Sequence, residues 1–359
     1  NSYTTGYNFT YSRTGLRINN YANSNIGWEI ANKANLGLEL DMFDGKIAIL
    51  ADFFDEIRKD ILQTRVDIPD ELGLWAIPQT NIGEAKGRGI DASLDYNQML
   101  TNWWFVGRTT FTYARSTYKY YEEPNYSDMP WRSRIGLPIN QQFGYVAERL
   151  FIDNKDIANS ARQDFGEYAP GDIKYKDINK DGVINEIDMV PIGRPTTPEI
   201  NYGFGLSAGY KNLDASFFFQ GSARSTFWIN SATMTPFVRS GRTETGLAKF
   251  IADDYWSETS QNPFAGWPRL STYRIDNNNQ RNTMFMRNGS FLRLKSVELG
   301  YSLPVNLTNT LRLENCRFYL SGTNLWLFSK FNLWDVEMGG NGLAYPIQRV
   351  YNIGVNISF

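Results

Sequence analysis

At the end of the chain, in YPIQRVYNIGVNISF, apolar and small or polar residues trade places one by one. Tyr351, Ile353, Val355, Ile357 and Phe359 alternate with Asn352, Gly354, Asn356 and Ser358. Successive side chains of a strand point to opposite faces, so this pattern predicts a strand with one apolar and one polar face. The same period of two runs through NYGFGLSAGYK, where Tyr202, Phe204, Leu206, Ala208 and Tyr210 are apolar and Gly203, Gly205, Ser207 and Gly209 are small. Beyond Lys211 and Asn212 the parity reverses, to Leu213, Ala215, Phe217 and Phe219, which predicts a tight hairpin. Leu36, Leu38, Leu40 and Met42 run into Asp44-Gly45, a type I′ turn signal, and Ile47, Ile49, Ala51 and Phe53 leave it. Ile90, Ala92, Leu94 and Tyr96 are placed to pair with Trp103, Phe105, Phe111 and Tyr113. Val297, Leu299, Tyr301 and Leu303 form another strand, and a weaker one surrounds Phe318 and Leu320. About nine or ten strands result, counting one between Phe9 and Ile18.

The connections alternate as well. Short turns are expected near Asp44, Gln98, Lys211 and Pro304, and long connections near Leu62–Asn81, Ser116–Glu199, Gly221–Asn288 and Phe328–Tyr345. Connections this long are uncommon in compact soluble domains. Short turns at one end and long loops at the other are the habit of outer-membrane barrels, so the reading is an all-β, antiparallel transmembrane β-barrel with short periplasmic turns and long extracellular loops. A soluble β-sandwich would alternate too, because each sheet packs one face on the other.

Composition narrows the chemistry. Of 359 residues, 15% are aromatic, and a mean hydropathy of −0.43 leaves no apolar run long enough for a membrane helix. Alternating strands escape such averaging. With a net charge of −2 and no basic run, nucleic acid is not an expected partner. There is no histidine, which removes Ser-His-Asp, Cys-His and HExxH chemistry together, and the reading is not an enzyme. The lone Cys316 allows no internal disulfide and is expected to be a small hydrophobe. The chain opens on Asn1, without Met or signal peptide, in strand-like sequence. It is therefore expected to be one piece of a longer polypeptide.

One stretch breaks the rhythm. In KYKDINKDGVINEIDMVPIG, residues 177–188 follow a calcium-loop spelling, with Asp177, Asn179, Asp181, Gly182, Asn185 and Asp188 at positions 1, 3, 5, 6, 9 and 12. Ca²⁺ prefers six to eight oxygens, so Asp177, Asn179, Asp181, Asn185 and Asp188, with the carbonyl of Val183, are the candidate ligands; Mg²⁺ is the alternative. Gly182 allows the sharp turn. The flanks are strand and Pro-rich sequence rather than the paired helices of a dockerin, so the expected role is to stiffen a long loop.

These residues together resemble a known family. The block from Gly171 to Gly221, GDIKYKDINKDGVINEIDMVPIGRPTTPEINYGFGLSAGYKNLDASFFFQG, is similar to the corresponding stretch of SusC-like (SusC/RagA-type) TonB-dependent outer-membrane transporters. FLRLKSVELGYSLP (Phe291–Pro304), NIGWEIANKANLGLELDMFDGKIAILADFF (Asn25–Phe54), LPINQQFGYVAERLF (Leu137–Phe151) and the closing Phe359 resemble further parts of that family. The resemblance implies a 22-stranded barrel around a plug, with residues 1–359 supplying about ten C-terminal strands and the loop 177–188 lying within an extracellular loop. It also implies a Gram-negative outer-membrane location, energy from TonB-ExbB-ExbD, a SusD-like lipoprotein lid and import of an oligosaccharide or peptide. No plug, TonB-contact segment or carboxypeptidase-like domain is seen in this sequence. Aromatic faces stack on sugar rings, so Trp131, Trp228, Trp256, Trp267 and Trp334, on the long loops, are the candidate substrate-binding residues. Two other readings stay open: a small stand-alone outer-membrane barrel enzyme, and a soluble calcium-binding β module.

Overall fold

The computed structural model describes residues 2–5, 8–15, 21–240 and 243–359. Nine strands form one antiparallel sheet: β1 (Ile30–Met42), β2 (Ile47–Thr64), β3 (Gln79–Met99), β4 (Trp103–Tyr120), β5 (Ile200–Tyr210), β6 (Leu213–Ala223), β7 (Phe291–Ser302), β8 (Asn315–Ser329) and β9 (Val350–Ser358). Their spatial order follows their sequence order, from β1 at one edge to β9 at the other. In such a meander the connections emerge at alternate ends. Residues 43–46, 100–102, 211–212 and 303–314 turn at one end, and 65–78, 121–199, 224–290 and 330–349 leave from the other. The expected split between short turns and long loops is therefore observed.

The alternation becomes rows once the register is set. Leu36, Phe53, Ile90, Tyr113 and Ile200 stand directly opposite one another on successive strands. Nearer the short turns, Ala208, Ala215, Leu299, Leu320 and Ile353 form a second apolar row. Trp103, Tyr210, Leu213, Tyr301, Phe318 and Val355 form a third, with the rings of Trp103 and Tyr210 in tilted contact at 4.4 Å between centroids. That last row has the composition of an interfacial aromatic girdle. From the first row to its lower end, β3 runs from Ile90 to Met99, close to the roughly 9–11 residues a tilted strand needs to cross the hydrocarbon layer. The remainder of β3 stands above that band.

The apolar rows are uncovered. Leu36 is 70% exposed, Leu213 58% and Ile353 87%. No second large sheet packs on them among the described residues, so the layered sandwich is not what this chain builds. The opposite face is polar. Arg108 pairs with Asp95 at 2.5 Å, and Arg317 with Asp214 at 2.5 Å and Glu298 at 2.7 Å. On this face aromatic rings lie over glycines of the neighbouring strand. A Cβ on Gly209 would come within 2.1 Å of the Trp104 ring, so the wall is closed there by a ring lying where a side chain would otherwise stand.

Three expectations differ in detail. The connection around Asp44-Gly45 is not a two-residue type I′ turn: residues 43–46 lie between the last paired residues Met42 and Ile47, and Phe43, Asp44 and Gly45 all have positive φ. The turn near Pro304 carries a short helix, Val305–Thr310. The tenth strand is not in the sheet. Tyr11–Thr14 pairs instead with Ser2–Thr5, and the end of the expected segment, 16–18, lies outside the described residues. Cys316 is buried, in register with Ile357 on the apolar side.

Candidate functional site in the packed loops

Most fully buried side chains lie in the long loops rather than in the sheet. Tyr145, Ile173, Tyr175 and Ile184 come from 121–199, Ile229, Met234, Ile251, Trp256, Trp267 and Phe285 from 224–290, and Phe331 and Val336 from 330–349. Short two-stranded ribbons organise them: Gln142–Gly144 with Val190–Ile192, Ala147–Leu150 with Ile173–Tyr175, and Thr226–Trp228 with Met286–Asn288.

A buried polar network joins the first two loops. Gln163 Nε2 donates to Asn277 Oδ1 at 2.6 Å, and Tyr175 Oη donates to the Asn277 carbonyl at 2.7 Å. The Asp172 carboxylate accepts from Asn278 Nδ2 at 2.8 Å and from Arg269 Nη2 at 3.0 Å. Burial pushes the Asp172 carboxyl above its ordinary value, against the pull of the Arg269 guanidinium. Burial also pushes the Tyr145 hydroxyl up to about 12. The third loop is tied to the wall by Arg293 of β7, which donates to Asp335 at 2.6 Å and Glu337 at 2.7 Å while itself only 3% exposed. Satisfied networks of this kind hold a loop assembly in one arrangement.

The five tryptophans divide by burial. Trp256 and Trp267 are buried in the loop core, the latter against Phe285 at 5.0 Å. Trp334 is half-buried, packs edge-on to Phe331 and donates to the Gly339 carbonyl at 2.8 Å. Trp228 donates to the Asn282 carbonyl at 2.9 Å and lies under the Arg281 guanidinium. Trp131 donates to the Ile187 carbonyl at 3.0 Å, which ties its turn to the 177–188 loop.

That loop adopts a wrapped form. Lys180 and Gly182 take positive φ, 62° and 84°. Asp177 accepts from the backbone N–H of Lys180 at 2.6 Å and of Gly182 at 2.9 Å. Asn179 Nδ2 donates to Asp181 at 2.8 Å, and Asp181 accepts from Val183 N–H at 2.8 Å. Asn185 accepts from Ile187 N–H at 2.8 Å. Asp188 is fully buried and accepts from Ile178 N–H at 2.8 Å and Asn185 N–H at 2.9 Å, so it braces the two ends of the loop. Among the described residues no three acidic, histidine or cysteine side chains converge as metal ligands. The donor chemistry still fits a hard cation, because such a loop draws on neutral amide and carbonyl oxygens as well as carboxylates.

A feature with no separate signal in the sequence sits beside Trp131. Tyr121, Glu122, Tyr126, Arg132, Arg134 and Phe143 line a cavity of about 250 Å³. Glu122 is nine-tenths buried; one carboxylate oxygen accepts from Arg65 Nε at 2.7 Å and the other, buried, has no partner. Arg134 lies over the Phe143 ring at 4.8 Å. An unpaired buried acceptor is costly and calls for a donor from elsewhere. Sequence reading missed it because Arg65 and Glu122 follow different strands.

No family model matches the chain. It is 28% identical, over 97% of its length, to TonB-dependent receptor P26 of Formosa agariphila, and 24% identical, over 94% of its length, to TonB-dependent receptor SusC of Bacteroides thetaiotaomicron. It spans 36% and 32% of those proteins. Its fold is that of part of the RagAB peptide transporter, with a TM-score of 0.68 at 23% identity, covering the whole of this chain and 38% of that one. Along nearly its whole length, then, the chain is similar to TonB-dependent receptors, SusC among them, and its nine strands have the fold of a stretch of outer-membrane β-barrel wall.

Proposed function

We propose that this chain supplies the C-terminal barrel wall and extracellular loops of a receptor that imports an oligosaccharide or a peptide across the outer membrane. The observation that carries this reading is the set of in-register apolar rows, on a chain similar to TonB-dependent receptors over 97% of its length. Energy would come from TonB-ExbB-ExbD through parts of the receptor beyond this chain, and a SusD-like lipoprotein would cover the packed loops. Cargo would meet the loops at the cavity beside Trp131, where the free Glu122 oxygen accepts from a hydroxyl or amine and Arg132 and Arg134 offer donors. Uptake of labelled oligosaccharides and of labelled peptides by cells with and without the gene tests this. One of the two is expected to enter, only with an energised inner membrane, and Glu122→Gln is expected to weaken uptake about tenfold at low cargo concentration. Entry unchanged by loss of the gene would remove the reading.

The 177–188 loop, on the same proposal, takes Ca²⁺ through Asp177, Asn179, Asp181, Asn185, Asp188 and the Val183 carbonyl and stiffens the connection without doing chemistry. Calorimetric titration of the purified receptor is expected to show uptake that Asp177→Ala and Asp181→Ala abolish. Absence of a binding heat at millimolar Ca²⁺ would eliminate the ion.

A further inference from the structure

Directly above the uppermost apolar row, the lipid-facing side of the wall carries an uncompensated charge. Asp55, Arg88 and Arg115 stand opposite one another on β2, β3 and β4, on the same face as Phe53, Ile90 and Tyr113. Like charges directly opposite on neighbouring strands destabilise a sheet. The available carboxylates are engaged elsewhere. Asp55 is held by Lys86 at 2.8 Å, and Glu199 is shared by two guanidinium groups, accepting from Arg224 at 2.6 Å through one oxygen and pairing with Arg115 at 3.5 Å through the other. Arg88 is exposed, and no carboxylate lies within ion-pair distance of it among the described residues. Immediately below, Leu36, Phe53, Ile90 and Tyr113 line a shallow cavity of about 520 Å³ whose upper rim is Asp55 and Arg88.

We propose that this cavity binds a phosphorylated lipid of the outer leaflet, with its phosphate between Arg88 and Arg115 and an acyl chain along Leu36, Phe53 and Ile90. The order of the groups decides the class of ligand. The site is apolar at hydrocarbon depth and, one row higher, where headgroups begin, sets two guanidinium groups against the one carboxylate of Asp55, which Lys86 already holds; guanidinium groups match phosphate oxygens two at a time. A free anion has no use for the apolar floor, and an uncharged lipid has none for the paired arginines. Bound phosphate would offset the repulsion that the register imposes.

The test uses the full-length receptor in detergent, titrated with synthetic bisphosphorylated lipid A and with its dephosphorylated form, and bound lipid counted by native mass spectrometry. The phosphorylated lipid is expected to bind at least tenfold more tightly, and Arg88→Gln to remove about tenfold of that affinity; Arg88→Gln with Arg115→Gln should bring the two lipids level. Arg115 also faces Glu199, so the single Arg88 variant, whose side chain makes no ion pair among the described residues, keeps the test decisive if the double variant does not fold. Equal binding of both lipids, or full affinity in Arg88→Gln, would overturn the site. Inorganic phosphate binding as tightly as the lipid would overturn its assignment to the membrane.

Discussion

Single residues in the loops show what local sequence can reveal. The turn at Lys180–Gly182 and its Asx hydrogen bonds follow from spacing alone, because each side chain reaches a backbone N–H only a few residues away. Asp188 was legible as position 12 of a metal loop but not as a buried brace, a role that depends on burial by distant segments. Asp156 was not legible at all. It accepts from Arg149 at 2.5 and 2.8 Å, from Ile152 N–H at 3.1 Å, and lies 3.3 Å from Lys174. The Arg149 hydrogen bonds hold its carboxyl well below the ordinary value, with the Ile152 N–H and Lys174 adding to the effect. A depressed carboxyl contributes stability that is complete above its unfolded value, about 3.9, and is lost as pH falls through the lower folded value. Hydrogen exchange of residues 147–176, corrected for its intrinsic pH dependence, is therefore expected to stay protected at neutral pH and to open in acid below about 4. Asp156→Asn should be open already at neutral pH. A variant with the same acid profile as the parent would refute this role.

At the scale of elements, the strands were legible because their period is two and their apolar face meets a uniform surroundings. Nothing but parity had to be read in β5, β6 and β9. The turns were less legible: Asp44-Gly45 promised a two-residue hairpin, but three successive positive-φ residues widen it. Long loops resisted altogether, since Asp172 and Asn278 are brought together by folding and not by spacing. Parity makes a sharp prediction about the two faces. Leu299 lies in an apolar row between Ala215 and Leu320, and Ser216 on the polar face opposite Glu298. Arginine on a lipid face costs about 2–4 kcal/mol at mid-membrane and less towards the interface, and Leu299 lies one row in from the aromatic girdle, so a cost between these limits is expected. Leu299→Arg is expected to lower the urea midpoint of the receptor refolded in liposomes, and Ser216→Arg, beside a carboxylate, to leave it within about 0.5 kcal/mol of the parent. Equal effects would mean that the faces are wrongly assigned.

For the whole molecule, the decisive feature is that the sheet is open. Among the described residues β1 and β9 each pair on one side only, with β2 and β8. In water an unpaired strand edge is tolerable, because solvent satisfies its N–H and C=O groups. In hydrocarbon each unsatisfied group costs on the order of several kcal/mol, so a spanning sheet has to close on itself or on further strands. Nine strands with apolar rows on one side and a polar wall on the other, and both edges unpaired, are an open stretch of wall, and the number of strands needed to close it sets the diameter of the barrel. The chain expressed alone is therefore expected to give no heat-modifiable band after refolding into bilayers, whereas co-refolding with the remaining strands of the receptor should restore one. A stable, heat-modifiable product from this chain alone would show that these strands make a complete small barrel, and the packed loops would then have to be read as its cap.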